Sequence, residues 1–111
     1  MTESMTTGTW IVSEDKEAAF FDAWASFAAW SSSMSGATTL RLGRDRADAR
    51  RFVSFAAWDS ADAVQAWKTM PEMQQRLAQV VQYVDDFHNE ELVVTVTACD
   101  GSSTTAQPAG R

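Results

Sequence analysis

The sequence has one cysteine, one histidine and two prolines in 111 residues, and its five glycines stand singly. Each scarcity excludes something. Cys99 has no second cysteine, so the chain can form no internal disulfide, no cysteine metal cluster and no dithiol redox pair. His88 alone cannot supply the three or four ligands of a typical zinc site. The isolated glycines form no phosphate-cradling loop, and no internal repeat is present. Positive charge is also short: nine basic residues stand against fifteen acidic ones, for a net charge of −6. That balance opposes the counterion release that drives nucleic-acid binding and disfavours anionic membrane surfaces. No run approaches the roughly 18 apolar residues of a membrane span. The opening "MTESMTTGTW" has neither the basic start nor the apolar segment of a secretory signal. A cytoplasmic protein is expected, with neither nucleic acid nor membrane as partner.

What the chain does have is aromatic and apolar residues, 45% hydrophobic in all, with five tryptophans and six phenylalanines. That content suits one domain with a real core. "GTWIV" (8–12) reads as a strand. Ser13 of "SED" is the expected cap of the next helix, with Glu14 and Asp15 in its first turn. In "KEAAFFDAWASFAAW", Phe20, Trp24 and Phe27 recur at helical spacing and predict a buried aromatic stripe. The helix should end in "SSSMSG", where Gly36 can take a positive φ.

"TTLRLGR" alternates as a strand, and "RFVSFAAW" (51–58) does so again. In the latter, Phe52, Ser54, Ala56 and Trp58 share one face, and Val53, Phe55 and Ala57 the other. Asp59 or Ser60 is positioned to cap a short helix through Trp67. Pro71, with Thr69 and Glu72 spaced as a capping box, opens another. Met73, Leu77, Val80, Val81 and Val84 form its apolar stripe. After a polar connection, "DDFHNE", the run "ELVVTVTAC" reads as the last strand, and residues 100–111 as a disordered tail.

The order is therefore β-α-β-β-α-β with the second helical region split in two: a ferredoxin-like α+β fold in which helices cover one face of an antiparallel sheet. The expected divisions are a flexible N-terminus (1–7), a domain (8–99) and the tail. The uncovered sheet face would expose Val53 and Phe55, each forgoing about 1.5–3 kcal/mol of burial. Pairing of two sheets in a homodimer removes that cost and is the expected assembly.

The stretch "FVSFAAWDSADAVQAW", followed by "MPEMQQRLAQVVQYVDDF" and a β-branched last strand, resembles the antibiotic biosynthesis monooxygenase family of dimeric α+β barrels. The likeness spans roughly residues 8–98. Members include cofactor-independent monooxygenases that oxidise polyketide-derived phenols to quinones, haem-degrading monooxygenases and polyketide cyclases. For the quinone-forming members the resemblance implies that Trp58 lines the pocket. Those enzymes have an asparagine where this chain has Ser54 and a tyrosine where it has Val64. For the haem-degrading members Trp67 matches a tryptophan near the ring, whereas Leu77 occupies the place of the iron-ligating histidine.

A tryptophan taken singly is more often core than site wall. Five in so small a domain, however, are consistent with an aromatic-lined cavity between helices and sheet, where related proteins hold their ligand. Trp24, Phe27, Trp58, Trp67, Met73 and Leu77 are its candidate lining. Trp58, the Ser54 hydroxyl and the Tyr83 hydroxyl are candidate donors to a substrate oxyanion. Histidine ordinarily titrates near neutrality, which makes His88 a candidate base. The function implied is oxygenation of a phenolic, polyketide-like aromatic small molecule by O2 without a cofactor. Two alternatives are a dimeric protein that shelters a hydrophobic small molecule unchanged, and a polyketide cyclase; haem degradation ranks below these.

Overall fold

The structure, a computed structural model, describes residues 2–99 and 102–105. Its elements run β1 (Ser4–Val12), α1 (Glu17–Ser32), β2 (Ala37–Arg44), β3 (Arg51–Trp58), α2 (Ala61–Lys68), α3 (Pro71–Val81), β4 (Val84–Val93), β5 (Val96–Cys99) and β6 (Ser102–Thr105). Strands β2-β3-β1-β4 form one antiparallel sheet in that order, so β1 and β3 are central and β2 and β4 are edges. This is the ferredoxin-like α+β arrangement expected from the sequence, with a short β5–β6 hairpin appended. No helix among the described residues is long and apolar enough to cross a membrane.

Alternation decides which sheet face meets the helices. On β3, Phe52, Ser54, Ala56 and Trp58 are all buried, whereas Phe55 is exposed. On β1, Trp10 and Val12 join the same layer. Phe20, Trp24 and Phe27 from α1, Val64 and Trp67 from α2, and Met73 and Val80 from α3 complete a single core. The stripe of α1 is thus buried as its spacing dictates. Gly36 takes φ 92° after the helix, and a Cβ there would lie 2.6 Å from that of Ala63, so conformation and close packing both require glycine.

Several boundaries differ from the sequence reading, each for a physical reason. Strand β1 begins at Ser4, ahead of the expected start at Gly8, because the eight residues of β3 find partners from Ser4 to Ile11. Ser13 does not cap α1: its hydroxyl donates to Asp85 at 2.7 Å, Asp15 takes φ 64°, and the helix starts at Glu17. Ser60 does cap α2, accepting from the Ala63 N–H at 3.2 Å. The capping box at α3 does not form. The Thr69 hydroxyl turns back to the Gln65 carbonyl at 2.9 Å, and Glu72 pairs with Arg76.

The largest revision concerns "DDFHNE", which is strand rather than connection. It pairs with β1 from Ile11↔Asp86 through Thr7↔Glu90, so Val84 opens β4 instead of extending the helical stripe. The expected last strand is divided: β4 ends at Val93 and β5 starts at Val96. Residues 102–105, inside the segment expected as tail, pair with β5, whereas 100, 101 and 106–111 lie outside the described residues.

Candidate functional site

Between the helices and the sheet lies a cavity of about 190 Å³. Trp24 and Phe27 of α1, Trp67 of α2, and Met73 and Leu77 of α3 form its helical wall, while Ser54 and Trp10 line the sheet side. The floor is shaped by Gly8, whose neighbours across the ladder are Ser54 on β3 and Asn89 on β4. A Cβ on Gly8 would lie 2.8 Å from the Ser54 Oγ and 2.9 Å from the Trp10 Nε1, so only glycine leaves room for that contact. Phe87 stacks on Trp10 with centroids 4.2 Å apart and planes 24° from parallel.

Helical wall and floor are buried, whereas Asn89, Glu91 and Gln74 along the same cavity are exposed. These polar groups form its mouth. There the Lys68 ammonium at the end of α2 pairs with the Glu91 carboxylate on β4, tying helix to edge strand. Both side chains are well exposed, so solvent screens the pair.

Buried indoles need acceptors, and three of the four find hydroxyls distant in sequence. Trp10 donates to Ser54 at 3.0 Å, Trp58 to Thr6 at 3.1 Å, and Trp67 to Ser31 at 2.9 Å. Trp24, with only 8% of its surface exposed, has a buried Nε1 with no partner in the protein. An unmade hydrogen bond of this kind costs about 1–3 kcal/mol.

The residues nominated from sequence fall into two groups. Ser54, Trp24, Phe27, Trp67, Met73 and Leu77 line the cavity together. Trp58 packs behind it against Trp67, with ring centroids 4.8 Å apart, and its N–H is occupied by Thr6. Tyr83 follows α3 and lines a separate groove between α1 and α3, beside Arg76 and Gln79. His88 sits opposite Thr9 on the uncovered sheet face, with its side chain 67% exposed and Nε2 3.5 Å from Glu90. Tyr83 and His88 therefore stand apart from Ser54. The Ser54 hydroxyl is itself engaged, accepting from Trp10 and making a long contact, 3.5 Å, to the Gly8 carbonyl.

Asn89, Glu91, Lys68 and Trp10 were not singled out by the sequence reading. Their signal lay in "FHNEE": read as a strand, it puts Phe87, Asn89 and Glu91 on one face.

Charged contacts outside the cavity hold its frame. Arg44 at the end of β2 makes a bidentate pair with Glu17 at the start of α1, at 2.6 and 2.9 Å, and lies over the Phe52 ring at 4.8 Å. The hydrogen bonds from Arg44 hold the Glu17 carboxyl below its ordinary pKa. Asp85, bonded by the Ser13 hydroxyl and then by Arg50, is lowered in the same way. Among the described residues, no group of three or more His, Cys, Asp or Glu side chains is placed to hold a metal ion.

The family model for antibiotic biosynthesis monooxygenase matches residues 5–79, most of the domain. The chain belongs to that family. Solved structures agree on the fold. SnoaB, a cofactor-independent oxygenase from Streptomyces nogalater, superposes with a TM-score of 0.74 at 18% identity, covering 83% of this chain and 92% of its own. A Shewanella oneidensis protein gives 0.74 at 20% identity, covering 83% and 90%. A conserved Methanosarcina mazei protein gives 0.75 at 9% identity, covering 82% and 91%. No curated protein sequence matches significantly. Family membership supports a monooxygenase-like function. The cavity does not suit haem, because Leu77 in its wall offers no ligand to iron.

Proposed function

We propose that this protein is a cofactor-independent monooxygenase that oxidises a phenolic, polyketide-like aromatic small molecule with O2. The observation that carries the reading is the aromatic cavity, buried at its helical wall and polar at its mouth. An electron-rich hydroxyarene that has lost its phenolic proton passes electrons to oxygen by its own chemistry. One oxygen atom enters the ring as a new carbonyl, the other leaves as water, and the substrate supplies all four electrons. The protein's part is to strip water from the ring, align it and hold the phenolate oxygen with donors. Trp10, Trp24, Phe27 and Trp67 provide the flat apolar surface. Asn89 and Lys68 at the mouth are the donors we assign to an oxyanion.

A second reading, binding without chemistry, is favoured by one observation: the Trp58 N–H and the Ser54 hydroxyl are both taken by the protein itself. Oxygen uptake separates the two. Stirred with dihydroxynaphthalene or anthrone, an oxygenase consumes O2 above the rate of spontaneous oxidation, whereas a sheltering protein leaves that rate unchanged or slows it.

The assembly we propose is a homodimer through the open sheet face. Phe55 is 47% exposed there, opposite Arg41 of β2 and Thr7 of β1, and a second copy would cover it.

A further inference from the structure

Four indole N–H groups are buried in this domain, and all but one have a serine or threonine hydroxyl as acceptor. The exception, Trp24, is also the one whose ring belongs to the helical wall of the cavity while its Nε1 lacks any partner. Trp10 and Trp67 reach the same cavity with their N–H groups already committed. An ordered water is a poor substitute, since it needs two to four polar partners. The adjoining wall offers Phe27, Met73 and Leu77.

We infer that the Trp24 indole N–H is the hydrogen-bond donor that receives an acceptor oxygen of the bound ligand, and that the ligand is a planar arene with one or two rings inside the cavity. This rests on the reading of the cavity as a small-molecule site. Size supplies the second half. Apolar cavities of about 150 Å³ hold a benzene ring, and sites for drug-sized ligands run from about 300 Å³ upward. At about 190 Å³, this cavity admits a single or fused pair of rings. Any further ring projects past Asn89 and Lys68. The recognised group is thus a carbonyl or phenolate oxygen on a small flat ring system, and a hydrocarbon of the same shape leaves the N–H unpaired.

The test compares chromone, a planar bicyclic ketone, with naphthalene, which has the same outline and no acceptor, by equilibrium dialysis against the unaltered protein and Trp24→Phe. The expected result is that both probes bind the unaltered protein, and that Trp24→Phe weakens chromone about tenfold while naphthalene changes less than about twofold. Equal effects on both probes, or none on either, overturn the inference and leave the cavity reading standing. Failure of both probes to bind the unaltered protein overturns the cavity reading and the inference together. Should Trp24→Phe not fold, a crystal of the unaltered protein with chromone decides. A carbonyl oxygen within about 3.2 Å of Trp24 Nε1 supports the inference, and one placed elsewhere overturns it.

Discussion

The indole N–H of Trp10 on β1 donates to the hydroxyl of Ser54 on β3 at 3.0 Å, 44 residues away in the chain. This bond gives Ser54 a structural task before any ligand arrives. Ser54→Ala leaves the buried indole N–H unpaired and should cost about 1–3 kcal/mol of stability. Urea denaturation measures it, and an unchanged midpoint would refute the assignment.

Gly8 lies under the same contact, with no space for a side chain. Gly8→Ala places a methyl group against both Ser54 and Trp10 and should destabilise the fold by about 1–3 kcal/mol, the usual range for overpacking. Thermal or chemical unfolding of the variant checks this.

Leu77 tests the cavity from the opposite side. Leu77→Trp adds volume in a cavity of about 190 Å³ and should weaken binding of small arenes at least about tenfold. The fold should persist, because Leu77 is only partly buried and borders open space. Dialysis with naphthalene, accompanied by circular dichroism, gives the two readouts.

Acid should loosen the frame at Asp85. Its folded pKa lies below the ordinary 3.8 because Ser13 and Arg50 bond the carboxylate. A lowered folded pKa means that the stabilisation is present above the unfolded value and is lost as pH falls through the folded one. Asp85→Asn should therefore be less stable than the parent at pH 7, with the gap closing as pH drops below about 3.8. Denaturation midpoints of both proteins at several pH values test this; a gap that persists unchanged into strong acid would contradict it.

The open sheet face predicts a dimer that charge can split. Phe55→Glu should shift sedimentation toward the monomer at micromolar concentration, without loss of secondary structure, since Phe55 is 47% exposed in the single chain.

Much of this architecture was legible because periodicity is local. Phe20, Trp24 and Phe27 mark one helix face, and Phe52, Ser54, Ala56 and Trp58 one strand face, before any tertiary contact is considered. Strand β4 escaped notice because it is an edge: its residues are mostly exposed on both faces, so "DDFHNE" carries acids where a central strand would show apolar alternation. The mouth of the cavity was lost with it, since Asn89 and Glu91 belong to that strand.

The pairing of indoles was illegible for another reason. Trp10, Trp58 and Trp67 find hydroxyls 36 to 52 residues away, contacts that exist only after the sheet and helices have assembled. Trp58 was nominated as a donor, and its partner Thr6 came from a segment read as flexible. Which of five tryptophans retains a free N–H is a property of packing.

The proposed reaction is tested most directly by giving purified, chelator-treated protein a dihydroxynaphthalene or anthrone under 18O2 and weighing the product. The account predicts a quinone carrying one labelled oxygen atom, formed well above the rate without protein and lost when the cavity is filled by Leu77→Trp. Product formation no faster than without protein, while the same arene demonstrably binds, would contradict oxygenation and leave a sheltering role.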